Sequence, residues 1–535
     1  MNSFARRHPW WTRAAALSVL LLLALAGWVR WRMQGPYRDY RVEVSAVSGG
    51  PESASERLQV GVGVRNVTPD LDAFDTWQDV DRNSRFEPAK GDTWQDRNGN
   101  GDFDFVWLGG FNANRPAQGV QDPLWARALA FRHRATTVAL VSIDCVGLTH
   151  ERFIAARLKL RHSVPELAHV VFSSTHTHNS PDTMGIWSYR PLPSKFNDKY
   201  VEWVLERAIE AVVEAVRTLQ PADVVVGAVD LPPEGFVRDS RSPTVVDRVL
   251  GAAQFLRAGT GETLATLVSW GNHPEAMCGG NPLISSDFPH FLREAMEKGL
   301  AGEGAVGMKG FGAPCVYLQG PVGGLMTPLG LEVPDRDGST VHRENGVGKT
   351  RALGENLALR AAAMLRGANA QRVTDARIAV VSSSVFVPIE GTFKYPIMLG
   401  LIHPGWFGGQ ARTEVGAWRV AGIEMLTIPG EIYPEIVDGG VESPDGADFP
   451  GAPVEVPPLR TRMRGRVNLV ANLANDEVGY IIPRTQWDTR APFTYGRQDA
   501  PYGEENSGGP SVAGILHAES LKALDRLHAL LGDAK

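Results

Sequence analysis

The chain has 535 residues, 43% of them hydrophobic and 21% charged, a balance that excludes a disordered or fibrous protein. A net charge of -6 argues against a nucleic-acid partner, because proteins that bind nucleic acids carry basic surfaces. Three cysteines, Cys145, Cys278 and Cys315, are too few and too scattered for a disulfide scaffold.

Residues 1–32 read as an export segment, either a signal peptide or a signal anchor. Arg6, Arg7 and Arg13 precede an apolar run from Ala14 to Val29, and Arg30 and Arg32 follow it. As a helix the run spans roughly 24 Å against a hydrocarbon core of about 30 Å. Trp10, Trp11, Trp28 and Trp31 are placed to sit at the two interfaces and extend it. Ala24-Leu25-Ala26 offers a cleavage site, so both fates stay open. Residues 33–58 read as a tether, and the remainder is expected to face an extracytoplasmic space, periplasmic or at the cell surface.

Residues 59–535 read as one large catalytic unit with an acidic insertion over 70–110. The insertion holds an internal repeat: DTWQD at Asp75–Asp79 returns at Asp92–Asp96. Oxygen-bearing residues follow each copy at every second position. They are Asp79, Asp81 and Asn83 in the first, and Asp96, Asn98, Asn100, Asp102 and Asp104 in the second. That spacing suits a calcium loop, although the glutamate at the twelfth position is missing; the alternative is an Asx-turn loop that satisfies itself.

Beyond the insertion, short apolar runs alternate with helical patterns. Strands are predicted over 136–143, 169–173, 263–269, 316–318, 377–387 and 423–428. Helices are predicted over 151–162, 197–219, 289–300, 347–365 and 511–531. Continuous apolar strands between helices predict an α/β fold with a large mixed, mostly parallel sheet flanked by helices. Its site is expected at the carboxyl ends of the strands. Several strands end in residues able to bind a metal or do chemistry: Asp144, then His176 and His178, then His273, then Glu431. Imidazole and carboxylate donors suit zinc, which lowers the pKa of a water to about 7 and so serves hydrolysis.

These motifs, in this order, resemble the neutral (non-lysosomal) ceramidase family, over its catalytic domain only. The matching segments are Val60-Gly61-Val62-Gly63, Asp122-Pro123-Leu124-Trp125-Ala126-Arg127-Ala128 and Ser142-Ile143-Asp144. They continue with Thr175-His176-Thr177-His178-Asn179-Ser180-Pro181, His273-Pro274 with Ser286-Asp287-Phe288, Pro429-Gly430-Glu431 and Gly479-Tyr480. The resemblance implies a zinc-dependent amidase acting on an N-acyl sphingoid or related lipid. It places zinc on His178 or His176, on Glu431 and on Tyr480. The family's early histidine falls on Gln121, a poor zinc ligand. The family's serine falls near Thr327. His273 and Tyr502 are candidates for stabilising an oxyanion, and Asp144 for orienting a ligand. Two alternatives remain: a hydrolase of the same fold acting on another amide or ester, and a non-catalytic, calcium-stabilised envelope protein whose zinc site is degraded.

Overall fold

In the computed structural model the apolar stretches of this sequence become strands buried on both faces; residues 9–53, 56–189, 195–302, 304–368, 370–391, 394–399 and 405–533 are described. The helices that matter here are α1 (Pro9–Met33), α2 (His150–Ser163), α3 (Asp198–Arg217), α4 (Phe288–Lys298), α5 (Val347–Arg366), α6 (Lys394–Met398) and α7 (Val512–Leu531). The first strands are β1 (Glu43–Val47), β2 (Leu58–Asn66), β3 (Thr76–Gln78), β4 (Thr93–Gln95), β5 (Trp125–His133), β6 (Thr136–Ile143) and β7 (Leu167–Ser174). Next come β8 (Gln220–Asp230), β9 (Val249–Arg257), β10 (Thr263–Trp270), β11 (Cys315–Gln319) and β12 (Met326–Thr327). The last are β13 (Ile378–Pro388), β14 (Gln410–Val420), β15 (Ile423–Thr427), β16 (Glu431–Ile432), β17 (Val467–Ala471) and β18 (Tyr480–Ile481).

Two large sheets result. One runs β11-β10-β9-β8-β2-β5-β6-β7, and the other β1-β13-β14-β15-β17. They face each other across an apolar layer that includes Phe131, Leu140 and Phe255 from the first sheet and Trp418, Met425 and Leu469 from the second. Helices α2 and α3 cover one part of the first sheet's outer face, and α4 and α5 another. Helix α7 covers the outer face of the second. The result is a four-layer arrangement, helix–sheet–sheet–helix.

The expected α/β class with large sheets and flanking helices holds; the mostly parallel sheet does not. Within the first sheet only β6–β7 and β10–β11 run parallel, and in the second only β15–β17. Burial on both faces is the usual mark of a parallel sheet. Here a second sheet, in addition to helices, supplies that burial to antiparallel strands. Strands β5, β8, β9 and β14 escaped the sequence reading, and without them the chain looks like a strand–helix alternation.

Local chemistry explains the seating of individual elements. Asn197 caps α3 by accepting from the Tyr200 amide at 3.1 Å. This helix lies hard against β2 because Gly61 and Gly63 have no side chain: a Cβ on either would sit 2.0 Å from a carbonyl oxygen of α3. Asp287 caps α4 by accepting from the Phe288 amide at 2.7 Å. The repeat pairs with itself, because β3 and β4 run antiparallel with Trp77 opposite Trp94. Its aromatic rings form a small core of their own with Phe86, Phe105 and Trp107.

The stretch 33–58, expected as a tether, contains β1, which pairs with β13 over its whole length. Its polar composition misled, since an edge strand needs to bury only part of its surface.

Candidate metal centre

Two strand ends deliver three imidazoles to one place, and a third delivers a carboxylate. After β7 the chain turns through His176, a non-glycine residue with φ +68°. Such a conformation costs about 1–3 kcal/mol and persists only when its surroundings hold it. Here the His176 amide donates to Cys145 O at 2.9 Å, and its Nδ1 lies 2.5 Å from Val146 O. The His178 amide donates to Pro274 O at 3.0 Å, which ties this turn to the loop after β10. Gly110 leaves room for the His178 ring, because a Cβ there would come within 2.4 Å of it. His273 follows β10, with Nδ1 2.6 Å from Met326 O. Glu431 opens β16, which pairs in parallel with β18 and sets Glu431 opposite Tyr480.

The outer nitrogens of His176 and His273 each meet a backbone carbonyl, a pairing that orients the ring and leaves Nε2 as the free donor. The Nε2 atoms then converge. His178 Nε2 is 3.4 Å from His176 Nε2, and Glu431 Oε2 is 3.0 Å from His273 Nε2 and 3.6 Å from His176 Nε2. One donor atom from each of the three histidines lies within 4.8 Å of the others. All three rings and the carboxylate are buried. Three imidazoles and one carboxylate, with the outer ring nitrogens already engaged, fit a divalent cation of the imidazole-binding class.

The electrostatics agree. Burial opposes ionisation of Glu431, but the field of His176 and hydrogen bonds from His176 and His273 hold its carboxyl well below the usual range. Burial opposes protonation of His176, and Glu431 outweighs it, so this imidazole is more basic than usual. Burial pushes His178 down to about 4, leaving it neutral at neutral pH.

Glu275 was not a sequence candidate, although it stands two residues after His273. Its Oε2 lies 3.2 Å from His178 Nδ1, and its Oε1 accepts from the Thr327 hydroxyl. Burial works against its ionisation, yet contacts with His178, His273 and Thr327 bring it down to about 2. It is therefore a carboxylate placed to orient His178. Removing a group of this kind typically weakens metal affinity about 10–100-fold. That loss is expected for Glu275→Gln in a metal-buffered titration; unchanged affinity would rule out the positioning role.

A cleft of about 270 Å³ opens over His176, His178 and Glu431. Val146, Met184, Ile186, Trp187, Ile389 and Ile397 line its apolar part. Its polar end holds His176, His178, Glu431, Glu477, Tyr480 and Tyr502. Burial and the charge of Glu431 raise the Tyr480 hydroxyl well above its ordinary value; the Tyr502 hydroxyl is raised less, in a residue with more than half its surface exposed. The two rings stand 6.0 Å apart. Glu477, also missed in the sequence, accepts from the Gly479 amide at 2.8 Å through Oε1. Among the described residues its buried Oε2 has no hydrogen-bond partner. Burial and the charge of Glu431 push this carboxyl well above the usual carboxylate range.

Two solved structures share the architecture. One, a ceramidase complexed with C2, superposes with a TM-score of 0.62 over 90% of this chain and 76% of its own, at 15% identity. The other, neutral ceramidase from Pseudomonas aeruginosa, gives 0.61 over 88% and 75%, also at 15% identity. The chain has the neutral ceramidase fold. No protein-family model and no curated protein sequence matches it.

On this ceramidase fold the expected site residues separate. His176, His178 and Glu431 come together as expected, and Tyr480 stands beside Glu431. Tyr502 lines the cleft and is 56% exposed. His273, expected as an oxyanion contact, faces Glu431 as a ligand-type donor. Gln121 does not join them: its side chain is exposed, and its amide donates to Ile284 O at 2.8 Å. The donor set is filled from another strand end, by His273. Asp144 is likewise away from the cleft, held bidentate by Arg293 at 2.8 Å through both oxygens. Thr327 reaches the site only through Glu275.

Most oxygens of the loops proposed for calcium meet hydrogen-bond donors, while the buried Oδ1 of Asp104 has no partner among the described residues. Asp79 accepts from the Ser84 amide at 2.7 Å, and the Asn83 side chain donates to Asp81 at 2.9 Å. Asp96 accepts from the amides of Gly99 and Gly101 at 2.6 and 2.8 Å. The side-chain amides of Asn98 and Asn100 donate to Asp104, and Lys195 pairs with Asp102. This is the Asx-turn arrangement, in which backbone and side-chain donors take the oxygens.

Proposed function

We propose that this chain is a metal-dependent hydrolase that cleaves the amide bond of an N-acyl lipid, with an N-acyl sphingoid as its substrate class. The observation that carries this reading is an apolar cleft that ends on His176, His178 and Glu431, with His273 behind them in the same donor cluster, in a fold shared with ceramidases. His176, His178, His273 and Glu431 would hold the metal, with zinc the best fit to the donor set. When bound, such a metal supplies Lewis-acid polarisation of a carbonyl and a nucleophilic water at neutral pH. The apolar wall takes acyl chain and excludes water from the polar end. The protonated hydroxyls of Tyr480 and Tyr502 donate to the oxygen on which charge develops. Glu477, whose buried Oε2 has no partner among the described residues, offers a further polar contact for the substrate's head. Residues 1–32 act as an anchor, placing the body on the extracytoplasmic side.

The test compares protein stripped by a chelator with protein to which zinc has been restored, on a matched N-acyl sphingoid and ester analogue. The expected result is amine release only with metal restored, and one metal per chain by mass spectrometry. Hydrolysis untouched by chelation would end the metal reading; cleavage of the ester alone would move the substrate class.

A further inference from the structure

Helix α1 is not a loose appendage. It is 25 residues long, about 37 Å, with its described surface exposed and Trp28, Arg30, Trp31 and Arg32 at its C-terminal end. That grouping marks where a spanning helix meets the headgroups. The chain leaving it is tied down at once. The Trp406 amide donates to Met33 O at 2.7 Å, and the Arg412 guanidinium donates to Tyr37 O and Tyr40 O at 2.7 and 2.8 Å. Arg38 stacks over Trp31 at 4.0 Å.

The segment that grips α1 also builds the cleft. Trp406 lies in the connection between β13 and β14, and Arg412 near the start of strand β14 beyond it. Ile389 and Ile397 on that connection, with Ala411 just after it, line the cleft. On α6, in the same connection, Ile397 points inward at 6% exposure, while Tyr395 and, just past the helix, Leu399 stand out at 65% and 66%. Two large apolar side chains are thus displayed on the segment that touches both the helix exit and the cleft wall.

We infer that the mouth of the cleft lies against the lipid bilayer that α1 enters, with Tyr395 and Leu399 in the headgroup layer, so that a lipid reaches the donor cluster directly from the leaflet. The geometry stands on the docked helix; the lipid's role as substrate rests on the function proposed above. Arg30 and Arg32 add attraction for anionic headgroups.

Full-length protein is reconstituted in vesicles of phosphatidylcholine and phosphatidylglycerol carrying a headgroup-depth quencher. Cys278→Ser removes the one cysteine that is not buried, and an environment-sensitive fluorophore is attached through Leu399→Cys or Tyr395→Cys. Thr260→Cys is the control: it lies in the turn that precedes β10, whereas His273 follows that strand, which spans about 26 Å. Quenching is expected to be several-fold greater at 395 and 399 than at 260, and to persist in Glu431→Ala, so that a failed hydrolase reading leaves this result intact. Equal quenching at all three positions would overturn the inference. In parallel, the double variant Tyr395→Asp/Leu399→Asp is expected to lose about tenfold in turnover of bilayer-embedded substrate and nothing on a short-chain soluble one. An equal loss on both would overturn entry from the leaflet.

Discussion

His273→Ala is expected to abolish metal-dependent hydrolysis and to weaken metal binding about a hundredfold or more, whereas Gln121→Ala leaves both unchanged. Structural zinc sites with four donors bind with about 10–16 kcal/mol, so on that scale one donor accounts for roughly 3 kcal/mol. His273 Nε2 is 3.0 Å from Glu431 Oε2, inside the cluster. Gln121 is exposed and engaged only through its backbone. The measurement is metal content after dialysis at a series of free-metal concentrations, alongside circular dichroism to confirm that the variant is folded. Retained metal in His273→Ala, or its loss in Gln121→Ala, would restore the assignment made from the sequence resemblance.

The second large effect concerns stability. Glu414→Gln is expected to cost about 3–5 kcal/mol at neutral pH, because it leaves the Arg157 charge buried without its partner. Glu414 is fully buried on β14. It pairs with Arg157 of α2, lies 3.0 Å from His169 Nε2, and accepts from Ser382 Oγ at 2.6 Å and Asn475 Nδ2 at 3.2 Å. These contacts join the two sheets to a helix. Burial opposes ionisation of Glu414, but Arg157 and His169 hold its carboxyl well below the usual range. A depressed carboxyl stabilises the fold above its unfolded pKa of about 4.3, and that contribution is lost as pH falls toward the folded value. The difference between the parent and Glu414→Gln in urea unfolding is therefore largest at neutral pH and narrows below about pH 4. A difference independent of pH would mean that the pair contributes through packing and not through charge.

Much of the molecule was legible before its structure. The strand over 136–143 coincides with β6, and the helices expected over 151–162, 347–365 and 511–531 match α2, α5 and α7 to within a residue or two. Apolar period and helix caps act over a few residues, so they show in the sequence. The same holds for the ligand-type residues at strand ends, since an imidazole or carboxylate after an apolar run is visible wherever it occurs.

What escaped is what depends on partners distant along the chain. The parallel reading failed because the second sheet, not further helices, covers the inner face of the first. No local pattern distinguishes these two ways of burying a strand. Gln121 drew attention as a gap in a motif, but which donor fills that gap depends on where the ends of β7, β10 and β15 meet. Glu275 looked like part of a loop until His178, some hundred residues earlier, came to lie beside it. The amino-acid sequence by itself determined the elements and the chemistry available at their ends. Only the tertiary structure decided which of those ends share a site, because packing between sheets acts across separations in the chain that local propensities do not sense.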